Sequence, residues 1–260
     1  MLAQQMGSRL RSAVDVETVR GKHAFFDQIG VTAAQVRSTR HGSTPQINTP
    51  HSRRRVGLAD YEWADLVDDL DKVRMLVDPT SSYAKAAAAA MNRSIDDVII
   101  AAIGGQAQTG VSGGTNQALP SASKFATSAQ SDGMTIAKLL AAKHFLDAGD
   151  VDPGLKRYIV CGAKQIQDLL GTTSVTSADF NTVKALASGQ VDSFLGFQFI
   201  MSNRLAVANT DDRLCYAFTE DAVKLAIGSD VKAKISERDD KSYATQVYYS
   251  MALGAVRMEE

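Results

Sequence analysis

This chain is organised around the segment from Arg40 to Arg55, which reads RHGSTPQINTPHSRRR. The segment has almost no apolar residues, two prolines and clustered charge, so it cannot bury a core of its own. Alternating apolar and polar residues on either side predict strands over 25–31 and 55–63. Because a two-stranded hairpin with an unsupported tip is marginal alone, the pattern predicts an arm that contacts a neighbouring molecule.

Composition excludes several classes of protein. The 260 residues suffice for one large domain or two small ones. A formal net charge of -1 argues against bulk electrostatic binding to nucleic acid or to an anionic membrane. The sequence contains no apolar run long enough for a membrane span and no secretion signal at its start. We therefore expect a protein made in a reducing cytoplasm, with Cys161 and Cys215 packed as small reduced hydrophobes rather than paired in a disulfide.

The alanine-rich segment 80–103 predicts the longest helix, which Gly104 and Gly105 end. At about 1.5 Å per residue it would be roughly 35 Å long. Small and apolar residues form one stripe, which comprises Ala84, Ala87, Ala88, Met91, Ile95, Val98, Ile99 and Ala102. The opposite side is predicted to carry Lys85, Asn92, Arg93, Asp96 and Asp97. The small residues would let another backbone lie close to this helix.

The remaining pattern predicts irregularly interleaved helices and strands, which is an α+β fold. Residues 1–20 read as a mobile arm, and the glycine-rich segment 106–117 reads as a loop with a flexible tip at residues 110–114. Helices are predicted over 64–77, 135–148, 164–170, 177–188 and 220–227. Strands are predicted over 157–161, 196–203, 213–218, 231–236 and 245–257.

Motifs for catalysis, cofactors or metals do not emerge from the sequence. The four histidines lack the spacing of a metal site. Acidic residues at 65, 68, 69 and 71 lack the alternating ligands and central glycine of a calcium loop, so a solvated face or partners for nearby arginines is favoured. The glycines between 110 and 114 lack the rest of a phosphate loop. We predict no catalytic, cofactor or metal site.

The basic cluster Arg53, Arg54 and Arg55 is the strongest charge feature. It could contact phosphates, but the neutral chain and the absence of interleaved aromatic residues favour ion pairs with acidic groups on a neighbouring subunit. The candidate inter-subunit contact residues are Arg40, His41, His51, Arg53, Arg54, Arg55, Asp68 and Asp69. Replacing the three arginines by alanine is expected to impair assembly and to leave the subunit folded.

The chain resembles the major capsid proteins of tailed bacteriophages over nearly its whole length, because several short sequence motifs occur together in order. They are RHGSTP (40–45), TPHSRRR (49–55), DYEWAD (60–65), DKVRMLVDP (71–79), DF (179–180), SGQV (188–191), FLGF (194–197) and SNRL (202–205). The resemblance implies the HK97 fold. It implies an N-terminal arm (1–20), an E-loop (21–63), a peripheral domain (64–157) with a spine helix (80–103), an axial domain (158–227) and return strands (228–260).

In function, the resemblance implies a shell protein rather than an enzyme. Copies would form hexamers and pentamers that close an icosahedral or prolate head around double-stranded DNA. The implied partners are further copies of the chain, a portal protein, and a scaffold or decoration protein, with assembly in the host bacterial cytoplasm and no membrane contact.

Three alternatives stay open at this point. The first is an encapsulin-like compartment, which would enclose protein instead of DNA. The second is a small α/β enzyme with an active site formed between chains. The third is a DNA-binding module that uses the three arginines and would show strongly salt-dependent binding.

Overall fold

The computed structural model describes residues 4–68, 79–125, 133–171, 193–207 and 213–259. Within them, helices and strands are mixed, which confirms the α+β prediction. The helices are α1 (Pro79–Gly104), α2 (Ile136–Ala148) and α3 (Ala163–Gly171). The strands are β1 (Asp15–Thr18), β2 (His23–Ile29), β3 (His51–Gly57), β4 (Ala59–Val67), β5 (Ala107–Thr109), β6 (Thr115–Gln117), β7 (Arg157–Cys161), β8 (Ser193–Phe194), β9 (Phe197–Met201), β10 (Tyr216–Thr219), β11 (Val223–Arg238) and β12 (Ala244–Arg257).

The first sheet has the strand order β1-β11-β12-β4 and packs against α1. Strand β1 is parallel to β11, and the other neighbours are antiparallel. Apolar residues of α1 fill the space beneath the sheet, and they are Met91, Ile95, Ile99, Ile100 and Ile103. The predicted long helix is confirmed within a residue at either end. Its predicted polar side is wrong at Asp96, whose side chain is fully buried.

The end of α1 is held by an arginine from the last strand. Arg257 donates hydrogen bonds to the carbonyl oxygens of Ile103 and Gly105, both at 2.9 Å, and to that of Gln117 at 3.2 Å. The last carbonyls of a helix lack intrahelical partners. A buried guanidinium that satisfies them ties the end of α1 to β12.

The second sheet has the order β10-β7-β9-β8 and carries α2 and α3. All five residues of β7 are buried, as predicted, and the apolar run 158–161 follows the buried Arg157. The predicted helices at 135–148 and 164–170 are confirmed, and Thr135 caps α2 by accepting a hydrogen bond from the Lys138 amide at 3.4 Å.

The third sheet has the order β2-β3-β5-β6 and contains a hairpin at the predicted place. Its second strand, β3, includes residues 51–54, which were predicted to belong to the unsupported tip. The chain leaves it at Leu58, so the predicted strand 55–63 is divided between β3 in this sheet and β4 in the first. The prediction of a loop over 106–117 is wrong at both ends, because β5 and β6 pair as a small hairpin beside Arg54 and Arg55 of β3. Residues 110–114, predicted as the tip, form the turn of this hairpin.

The described residues contradict two of the predicted helices. Strand β4 extends to Val67, so a helix cannot begin at residue 64. The segment 220–227 forms a short 3₁₀ turn and then enters β11, which is paired with β1 on one side and β12 on the other. Pairing on both sides outweighs the helical pattern. Residues 69–77 of the first predicted helix lie outside the described residues. The helix predicted over 177–188 also lies outside them.

The N-terminal segment is also different from its prediction as a mobile arm. It forms a 3₁₀ turn at Arg11–Ala13 and then β1, and Leu10, Ala13 and Val14 are buried in the core under the first sheet. Burial of these apolar side chains fixes the segment to its own subunit.

Candidate subunit-contact sites

The hairpin stem is a regular antiparallel pair that extends from the body of the subunit. Pairing runs from His23 opposite Gly57 to Ile29 opposite His51. Hydrogen bonds close both ends, from the Gly30 amide to the Pro50 carbonyl at 2.8 Å and from the Leu58 amide to the Lys22 carbonyl at 3.0 Å. Beyond Gly30 the connection to His51 has no regular secondary structure.

Large apolar side chains are exposed on this hairpin. Val31 is 99% exposed, Val36 94% and Ile29 71%, and Phe25 and Ile47 are also exposed. Isolated exposed apolar residues are ordinary, but a concentration of them on an arm without a core marks an interaction surface.

The candidates Arg40 and His41 lie at the exposed tip, and His51 begins β3.

The three arginines make different contacts, because alternate residues of β3 point to opposite sides of the sheet. Arg53 lies on the exposed side, where it forms a two-pronged ion pair with Asp27 at 2.5 and 3.2 Å. Its guanidinium also lies 5.6 Å from the centroid of the Phe25 ring. The hydrogen bond from Arg53 lowers the pKa of Asp27. Arg53 is therefore presented on the hairpin surface in a fixed orientation.

Arg54 is directed into its own subunit. It is only 7% exposed and donates hydrogen bonds to the carbonyl oxygen of Met258 at 3.0 Å and to Gln117 Oε1 at 3.4 Å. This residue links the hairpin stem to the end of the chain and to the β5–β6 hairpin.

Arg55 contacts His23 across the stem, with Arg55 Nη2 and His23 Nε2 2.8 Å apart. Since a guanidinium can only donate, His23 Nε2 accepts this bond and the imidazole is neutral. Desolvation, together with the positive charges of Arg55 and Lys22, lowers the pKa of His23. The side chain of Arg55 also fills the space next to Gly113.

The acidic candidates follow β4. Asp68 is exposed directly after the strand ends, and Asp69 lies outside the described residues. The described contacts do not bring Asp68 together with the hairpin arginines.

A polar site that the sequence did not reveal holds the N-terminal segment against α1. The buried carboxylate of Asp96 accepts hydrogen bonds from Gln5 Nε2 and Ser8 Oγ, both at 2.6 Å, and from the amides of Arg9 and Leu10 at about 3.1 Å. Neighbouring side chains of the helix add contacts: Asn92 donates to the Met6 carbonyl and Arg93 to Gln4 Oε1. No local signal could have found this site, since its two halves are more than 80 residues apart in sequence.

The cysteines and the possible metal ligands form no reactive site among the described residues. Cys161 and Cys215 are free thiols packed in the core of the second sheet, as predicted. Burial raises the pKa of Cys161 to about 12, which leaves it protonated and unreactive at neutral pH. The described residues contain no cluster of three metal-ligating side chains. None of the described helices has the length and apolar character needed to cross a membrane.

Comparison with known proteins identifies the family. A family model described as phage capsid protein matches residues 1–260, the whole chain. The chain belongs to the phage capsid protein family. This membership accounts for an exposed arm in a protein without catalytic motifs.

Solved phage capsids share the fold of this family member. The capsid structure of cyanophage P-SCSP1u is 19% identical and superposes with a TM-score of 0.74, covering 99% of this chain and 86% of that one. The capsid of Ralstonia phage GP4 is 11% identical, with a TM-score of 0.74 and coverage of 99% and 88%. The capsid of cyanophage Pam1 is 14% identical, with a TM-score of 0.71 and coverage of 100% and 90%. No curated protein sequence matches the chain.

These findings confirm the capsid fold and the shell function. The phage capsid protein is a structural subunit and not an enzyme, its copies assemble into a multimeric shell, and the shell is part of the virion.

Proposed function

We propose that this capsid protein forms hexamers and pentamers that close an icosahedral or prolate head around double-stranded DNA. The observation that supports this best is the match of the phage capsid family to the whole chain. We further propose a portal protein and a scaffold or decoration protein as partners, with assembly in the host bacterial cytoplasm.

In this proposal the hairpin lies over an adjacent subunit. Its apolar residues, Ile29, Val31 and Val36, are exposed in the single subunit, and contact with a second copy would remove them from water. Arg53, with Arg40, His41 and His51, would supply the polar rim of the contact. Asp68 and Asp69 would supply acidic partners on another copy. Arg54 would act indirectly, by holding the stem at a fixed angle to the body.

The proposed domains follow the three sheets, which moves two of the expected boundaries. The first sheet with α1 forms the peripheral domain, and the second sheet forms the axial domain. The E-loop ends at Leu58 rather than at residue 63, because Ala59 begins β4 of the first sheet. We end the axial domain at Ala222 rather than at residue 227, because Val223 begins β11 of the first sheet. The proposed N-terminal arm, residues 1–20, is anchored on α1 through Gln5, Ser8 and Leu10.

Electron microscopy of particles made by co-expression with the scaffold and portal genes tests the proposal. Closed angular shells with sixfold and fivefold capsomers, and an absorbance ratio typical of DNA in packaged particles, are expected. Shells that contain protein cargo would instead indicate a compartment of the encapsulin kind. Uniform small oligomers under all of these conditions would overturn the proposed assembly.

A further inference from the structure

The two edges of the first sheet expose side chains of opposite charge. On one side lies β4, which exposes Asp60, Glu62 and Asp65. The sequence has no lysine or arginine between Arg55 and Lys72. The outer edge of this sheet is therefore acidic along the whole of β4.

The other edge of the sheet exposes two lysines, Lys232 and Lys234, between Asp230, which is paired with Arg11, and Glu237. Strand β1 pairs only with Lys224–Ile227 of β11, and irregularities in the pairing with β12 follow between Ile227 and Lys232. Beyond them β11 continues to Arg238 as an edge strand, with four consecutive exposed residues, Lys232, Ala233, Lys234 and Ile235. An exposed strand edge offers unpaired backbone groups and is a site at which another chain can dock.

Residues on the two edges lie in common rows across the sheet. Both β4 and β11 are antiparallel to β12, so they run in the same direction. Ser250 of β12 is opposite Lys232 on one side and Glu62 on the other, so these two charges lie in one row of the sheet. In the same way Val247 is opposite Ile235 and Asp65.

These charges are not paired with each other within one subunit. Lys232 and Glu62 are separated by the width of two strand spacings, which is about 10 Å. Among the described residues, Asp60, Glu62, Lys232 and Lys234 form no ion pair. Each edge also has an exposed aliphatic side chain near the same level, Leu66 on β4 and Ile235 on β11.

We propose that the β4 edge of one copy faces the β11 edge of the next copy in the shell, with Glu62 of one copy opposite Lys232 of the other. The inference rests on the proposed function, in which copies lie side by side. A contact between two different edges is heterologous, so repeating it builds a ring when the rotation closes. The opposite signs distinguish this role from simple protection against aggregation, since protective charges of one sign would repel and these attract.

Charge reversal tests the contact. Glu62→Lys and Lys232→Glu are each expected to lower the yield of shells about tenfold, because each puts like charges opposite one another, and the double variant is expected to recover most of that loss. Controls are Asp221→Lys and Lys85→Glu, which make the same charge changes at exposed residues away from the two edges. Combining Asp221→Lys with Lys232→Glu should not rescue assembly.

The measurements are shell yield by velocity sedimentation and electron microscopy, together with the thermal unfolding of the unassembled subunit. Unchanged unfolding of each variant shows that the effect lies in assembly. Normal shells from both single variants, or a double variant no better than the singles, would overturn the edge contact and leave the shell proposal intact. Failure of the unmodified protein to form capsomer-built shells would instead refute the proposed function.

Discussion

The hydroxyl of Ser8 donates a 2.6 Å hydrogen bond to the carboxylate of Asp96, which lies fully buried on α1. The same carboxylate accepts the backbone amides of Arg9 and Leu10 and the side-chain amide of Gln5. A buried carboxylate is tolerated when several donors replace its water. The charge on α1 therefore specifies where the N-terminal segment binds, and Leu10 and Val14 then enter the core beside it.

Replacing Asp96 by asparagine should destabilise the subunit by about 2–4 kcal/mol, because an amide group would meet donors that need an acceptor. Urea unfolding of unassembled subunits measures the loss, and limited proteolysis should cut more readily within residues 4–14. The matched control is Asp97→Asn on the same helix, where the exposed pair with Arg204 should contribute about 1 kcal/mol or less. Equal effects of the two variants would contradict the anchoring role of Asp96.

Separate replacements at Arg53 and Arg54 should give opposite phenotypes. Arg54→Ala removes a buried donor to the Met258 carbonyl, so we expect it to destabilise the subunit by about 2–3 kcal/mol. Arg53→Ala breaks an exposed ion pair, so it should leave the free energy of unfolding of the subunit almost unchanged and should lower shell yield instead. The structure thus alters the expectation that replacing all three arginines leaves the subunit folded. Chemical unfolding and particle counts, measured on both variants, separate the two effects.

The hairpin stem should weaken in mild acid through His23. Because the pKa of His23 is lowered below 6.5 in the folded protein, its neutral form stabilises the stem above that pH, and this contribution is lost as the pH falls through the lower folded value. Protonation would place a positive imidazolium against Arg55. Hydrogen exchange of the β2 and β3 amides, compared at pH 7.5 and at about pH 5, measures the change. A His23→Gln variant should lose the His23-dependent part of this pH response, and an unchanged response in that variant would refute the assignment.

Gly113 should not tolerate a side chain. Its φ of +67° suits glycine, and an added Cβ would lie 2.3–2.9 Å from side-chain carbons of Arg55. We expect Gly113→Ala to destabilise the subunit by about 2 kcal/mol, because it combines an unfavourable left-handed conformation with a clash. Gly114→Ala is the control, since its Cβ would meet only Ser112 Oγ at 3.5 Å. Thermal unfolding should show a lowered midpoint for the first variant, and similar midpoints for both would contradict the argument.

Elements with a strong local pattern could be predicted from the sequence. The alanine-rich helix α1, the largely apolar strand β7 and the alternating strand β2 all follow from short-range spacing. Each depends on neighbours within a few residues, so the chain specifies them without knowledge of what they pack against.

Contacts between distant residues could not be predicted in this way. Which of three consecutive arginines is buried depends on the carbonyl of Met258, 204 residues away from Arg54. The segment 220–227 has a helical pattern, yet it is a turn and strand because β1 and β12 flank it. The sequence predicts Asp96 on the polar side of a helix, whereas in the fold the N-terminal segment covers it.

The sequence alone therefore specified a helix–sheet chain with an exposed arm and a resemblance to phage capsids, since these follow from local pattern and from the order of recognisable phrases. The tertiary structure decided which charged groups serve the subunit, such as Arg54, Asp96 and Arg257, and which face outward, such as Arg53, Glu62 and Lys232. The physical reason is that burial and pairing of a charge depend on groups brought together from distant parts of the chain.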